Sequence, residues 1–162
     1  NAATIGNQRD DDSSMAWPVD APITSRFGLR VHPILRFARM HRGMDFGARW
    51  GTPIRAAADG QVVKAGWAGG YGRQVRIAHG EGMASSYSHM SSMSVAPGAF
   101  VRRGQLIGFV GSSGLSTGPP LHYEVYRGGV AVDPLSVRFI TAQPIDPATV
   151  AAIKARVKAL AP

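Results

Sequence analysis

A chain of 162 residues suffices for one domain with its own core and falls short of two, and its apolar fraction of 44% is ordinary for a globular protein. No apolar run approaches the roughly 20 residues of a membrane span, and the lack of cysteine removes disulfide frameworks and thiolate metal sites. The formal charge of +8 favours polyanions, but only Arg102 and Arg103 are adjacent among the arginines, so no basic tract points to nucleic acid as a partner.

Residues 1–14 are polar, with Asp10–Asp11–Asp12 followed by Ser13–Ser14, and read as a flexible lead-in. The chain opens on Asn1 with no leader of its own, which reads as a processed piece. A folded unit is expected over 15–140. Its glycines and prolines are scattered between short apolar runs, the pattern of many turns joining short strands. Within Gln61–Ile77, Val62–Val63 and then Val75 and Ile77, alternating with Gln74 and Arg76, predict two strands; the Gly69–Gly70 pair marks a hairpin or longer loop between them. Met83–His89 is a further extended stretch, and Leu106–Val110 is a compact apolar run between Gly104 and Gly111. Leu121–Tyr126 alternates, which sets His122 and Glu124 on the face opposite Leu121, Tyr123 and Val125. Over 141–162, Asp146 is a capping residue before Pro147, and Val150, Ile153, Val157 and Leu160 recur at spacings of three and four. That tail is expected to be an amphipathic helix. The pattern is therefore mainly β, short strands joined by turns, with a C-terminal helix.

Five histidines carry the candidate chemistry: His32, His41, His79, His89 and His122. His41 precedes Asp45 by four positions, but Gly43 between them argues against a helix. On a flat strand the two Cα atoms would stand roughly 13 Å apart, so sharing one ion requires a bend, which Gly43 can supply. On spacing alone the pair reads as a polar loop rather than a ligand pair, and His122 and His89 as ordinary strand-borne polar residues.

The order of the surrounding residues is more specific. His41-x-Gly43-x-Asp45 and Gly51–Val62, preceded by Ile23–Arg30 with His32–Pro33, resemble the first signature and lead-in of the lysostaphin-type zinc endopeptidases. Tyr87-x-His89–Met90 resembles the family's Tyr-x-His-Leu segment, and Thr117–Glu124 its Thr-Gly-Pro-His-Leu-His-Tyr-Glu segment. The resemblance runs in order from about Trp17 to Val137.

It implies a small antiparallel β domain with a metal in a groove, Zn2+ held by His41, Asp45 and His122, and a fourth place left open as catalytic zinc requires. It implies that His89 is one of two metal-free catalytic histidines. The other is expected where this chain has Pro120, whose side chain has no donor, acceptor or titratable group. Losing such a group typically lowers a rate by about 10²- to 10⁴-fold. Arg36 likewise stands where a glycine turn is expected. His32 is read as lining the groove, His79 as an ordinary polar residue, and Glu124 either as a partner of a ligand imidazole or as a solvated carboxylate. The implied substrate is the peptide crosslink of bacterial peptidoglycan, met in the periplasm or outside the cell. Three functions follow, in order: an endopeptidase attenuated by Pro120, a zinc-retaining regulatory or wall-binding module with a protein partner, and a basic domain for anionic surfaces.

Overall fold

The computed structural model describes residues 14–31, 34, 38–112, 120–137 and 139–140. Along them run fourteen strands: β1 (Met15–Ala16), β2 (Ile23–Ser25), β3 (Gly28–Val31), β4 (Ala38–His41), β5 (Met44–Phe46), β6 (Pro53–Arg55), β7 (Gly60–Trp67), β8 (Arg73–Gly80), β9 (Met83–Met93), β10 (Phe100–Val101), β11 (Leu106–Val110), β12 (Leu121–Arg127), β13 (Val130–Val132) and β14 (Phe139–Ile140). The antiparallel β class read from the sequence is the one found. The helix expected within 141–162 lies outside the described residues, as do His32 and Arg36.

The expected hairpin is β7–β8, in which Trp67 pairs with Arg73 across a loop holding a 3-10 turn at Gly69–Tyr71. Gly69 and Gly72 take φ of 54° and 67°, a region that glycine enters without steric cost. The stretch expected at Met83–His89 runs on to Met93 as β9, and β12 extends one residue past Tyr126. Ser14, placed in the lead-in by composition, is buried, and Met15–Ala16 pairs in parallel with Phe139–Ile140.

Ten strands share one sheet, in the order β10–β7–β8–β9–β12–β5–β2, with β11 joining β9 to β6 and β13 lying on β12. The separate β3–β4 ribbon delivers the chain to His41. Strand periodicity sorts the side chains. Leu121, Tyr123 and Val125 of β12 turn into a fully buried core with Met44 and Phe46 of β5, Val75 and Ile77 of β8, and Tyr87 of β9. Tyr123 meets Phe46 edge-on at 6.2 Å between ring centroids and Tyr87 at 5.5 Å, contacts worth about 0.5–1.5 kcal/mol each beyond area burial.

One irregularity matters for the site. Along one edge of β9, Met83 to Ser88 pair with β12, whereas Met90 to Met93 pair with β11. His89 stands at the changeover, and on the other edge the register slips between its neighbours' partners Val75 and Arg73. There His89 adopts φ 63°, an uncommon conformation for a residue with a Cβ.

Candidate metal centre

Sheet register brings the candidate residues together. His122 is the cross-strand partner of Asp45, and on its other side of Ser88, the residue before His89. His41 ends β4 and Asp45 is the middle residue of β5, so the chain bends between them as it leaves the ribbon and enters the sheet. The bend passes hard against β12. A Cβ at Gly43 would stand 2.5 Å from the Tyr123 carbonyl oxygen and 2.8 Å from His122 Cε1. Glycine is required there by close approach, not by a left-handed backbone.

The result is compact. His41 Nε2 lies 3.3 Å from Asp45 Oδ2, His122 Nδ1 lies 2.7 Å from Asp45 Oδ1, and one ligand atom from each of the three residues falls within 4.8 Å of the others. The second ring nitrogens are also engaged. His41 Nδ1 donates to the Arg26 carbonyl oxygen at 2.8 Å, and His122 Nε2 donates to Glu124 Oε2 at 2.6 Å. Each imidazole therefore turns its remaining nitrogen towards Asp45, and the outer bonds select the tautomers that a metal ligand needs.

Glu124 is no solvated carboxylate. It is buried, and its other oxygen accepts from the Tyr126 hydroxyl. Burial by itself would raise its pKa; the bonds from His122 and Tyr126 outweigh that and hold it lowered. Burial likewise opposes the charged form of His122, but the hydrogen bonds to Asp45 and Glu124, with their charges, raise its pKa to about 9. In the metal-free protein His122 is thus an imidazolium between two carboxylates, and a cation entering the cluster displaces the Nδ1 proton.

His89 is buried, with its ring centroid 6.4 Å from that of His122. Tyr71 covers the cluster from the β7–β8 loop, its ring centroid 5.8 Å from His122, and burial first and Glu124 second raise its phenol pKa. Sequence reasoning took Tyr71 for part of a glycine-rich turn. Tyr126 was better signalled, since the period of two places it on the face of His122 and Glu124. Pro120 immediately precedes β12, two residues from His122. His79 belongs elsewhere and is more than a strand-end polar group. Its Nδ1 donates to the Asp59 carbonyl at 2.8 Å and its Nε2 accepts from Ser85 Oγ at 2.7 Å, in a chain that continues through the Tyr87 hydroxyl to Ala57 N.

The donor set fits a divalent ion. Donors about 2.0–2.1 Å from a tetrahedral zinc stand about 3.4 Å apart, close to the 3.3 Å between His41 Nε2 and Asp45 Oδ2. Two neutral imidazoles and one carboxylate leave a single positive charge on such a centre and room for one further ligand.

The model of peptidase family M23 matches residues 39–134, more than half of the chain. The chain is 49% identical over 140 residues to the DD-carboxypeptidase/endopeptidase Mpg of Neisseria meningitidis, covering 85% of this chain and 32% of that protein. It is 43% identical over 118 residues to the murein hydrolase activator EnvC of Escherichia coli, covering 73% of this chain and 27% of EnvC. Among solved structures, a zinc-containing peptidase from Vibrio cholerae superposes with a TM-score of 0.72 at 31% identity, over 80% of this chain and 41% of that one. The chain therefore spans about a third of the length of the first of these relatives. A matched family model together with a sheet that gathers His41, Asp45 and His122 leads to one conclusion: this chain belongs to the lysostaphin-type peptidases of family M23, whose members include peptidoglycan hydrolases.

Proposed function

We propose that the chain is the zinc endopeptidase domain of a cell-envelope protein, that it acts on peptide crosslinks of bacterial peptidoglycan, and that Pro120 attenuates its turnover. The observation that carries this reading is the convergence of His41 Nε2, Asp45 and His122 Nδ1, with the outer nitrogen of each imidazole already bonded. In this reading the unit spans 15–140, between a lead-in and a helical tail. A zinc ion held there supplies a Lewis acid that polarises a peptide carbonyl and acidifies water. The chain's own residues do the rest. The Arg26 carbonyl and Glu124 hold the two imidazoles in place. His89, buried beside His122, takes the proton of the attacking water on its ring and returns it to the leaving amine. Pro120 supplies no second proton carrier, so His89 acts alone.

The test joins metal content to digestion of purified cell wall. One zinc per chain is expected, absent from His41→Ala, with slow, chelator-sensitive release of peptide that rises by about 10²- to 10³-fold in Pro120→His. Full zinc occupancy with no digestion by either form would sink the endopeptidase reading. The similarity to EnvC favours the alternative in that event: a zinc-retaining module that regulates a partner hydrolase.

A further inference from the structure

Beside the metal cluster lies a groove of about 540 Å³, whose lining includes Phe27, Arg42, Tyr71, Arg76, Glu124 and Tyr126. It borders the candidate centre through Glu124, which forms part of its wall and bonds to His122. Two cations face into it from different elements. Arg42 follows the candidate ligand His41 and is exposed; Arg76 comes from β8, with its guanidinium carbon 4.2 Å from the centroid of the Tyr126 ring. Both lie close enough to the Tyr71 phenol for their charges to act on it. Among the described residues, neither Arg42 nor Arg76 forms an ion pair with a carboxylate.

The acidic group in the groove does not neutralise them. Glu124 is buried and spends its charge on His122 and Tyr126 rather than on an arginine. A guanidinium stacked on an aromatic ring is held in place and loses less freedom when it forks onto a planar anion. The aromatic walls suit the body of a short peptide, and two forks suit a carboxylate better than they suit an uncharged chain.

We infer that Arg42 and Arg76 form a carboxylate-binding subsite, which selects peptide substrates carrying a free carboxylate next to the scissile amide. The inference rests on the endopeptidase reading for the words substrate and scissile, but the binding it describes does not. The measurement is equilibrium binding, by calorimetry on the zinc-loaded chain, of a peptidoglycan stem peptide and of the same peptide with its carboxylates amidated. The acid form is expected to bind about 10- to 100-fold more tightly, the range of a charge-assisted, doubly hydrogen-bonded contact. Arg42→Gln and Arg76→Gln are each expected to lose most of that preference, and the double variant to bind the two peptides alike, with zinc stoichiometry determined for each. Equal binding of the two peptides to the unaltered chain, or no detectable binding of either, overturns the subsite. So does a preference that survives in the double variant, since the carboxylate then sits on the metal or elsewhere. Wall digestion is a separate readout: if neither this chain nor Pro120→His digests wall, the endopeptidase reading fails while the binding ratio still decides the role of the arginines.

Discussion

Glu124 ties the side chains of His122 and Tyr126 together at the centre. Its carboxylate receives His122 Nε2 on one oxygen and the Tyr126 hydroxyl on the other. Glu124→Gln removes the charge that selects the His122 tautomer, so zinc affinity is expected to fall by about 10- to 100-fold, read by competition with a chromophoric chelator. An affinity unchanged within a factor of two would mean that His122 is oriented by Asp45 alone. The residue before it on β12 points the other way and tells a different story. The Tyr123 hydroxyl is fully buried with no hydrogen-bond partner among the described residues, and burial drives its pKa well up. An unpartnered buried hydroxyl costs about 1–3 kcal/mol, so Tyr123→Phe is expected to stabilise the fold by about 1 kcal/mol in urea denaturation, with the ring contacts kept. At this scale the sequence was informative where motifs were present. His41, Asp45 and His122 were legible because their neighbours resemble a known pattern. Arg42, Arg76 and Tyr71 were not, since a groove wall that joins the β7–β8 hairpin to the turn after His41 leaves no mark of spacing on the chain.

At the scale of elements, the changeover along β9 fixes where His89 stands. A strand that exchanges β12 for β11 on one edge cannot keep regular pleating, and the left-handed backbone at His89 absorbs the mismatch. Asparagine tolerates that conformation, whereas a β-branched residue does not. His89→Val is therefore expected to be about 1–3 kcal/mol less stable than His89→Asn, compared by thermal and urea unfolding. Equal stability of the two would show that the seam relaxes freely. Strand alternation made β8 and β12 readable in advance, and a compact apolar run between glycines marked β11. The β3–β4 ribbon was missed for the opposite reason. Leu29 and Met40 are exposed on it, so no apolar period betrays it. The bend between His41 and Asp45 was anticipated, but its cause was not visible, since the clash that demands Gly43 comes from β12, some eighty positions along the chain.

Across the whole molecule, one titrating group sets a stability slope away from the metal cluster. Burial lowers the His79 pKa, against the raising influence of the Asp59 carbonyl bond and the Asp59 charge. The unfolded chain therefore takes up a proton near pH 6.5 that the folded chain refuses, and folding loses stability as pH falls below that value. In the steepest part of the window the loss approaches about 1.4 kcal/mol per pH unit. Urea midpoints at pH 7.5 and 5.5 are expected to diverge more for the unaltered chain than for His79→Gln; identical divergence would assign the slope to other groups. The cluster itself depends on the sheet as a whole. His122 faces Asp45 because β12 and β5 are in one particular register; sliding β12 by a single residue would turn His122 over to the apolar side, and sliding β5 would do the same to Asp45. On the proposed zinc reading, metal retention would proofread strand assembly: a misthreaded molecule, however compact, would surrender its ion.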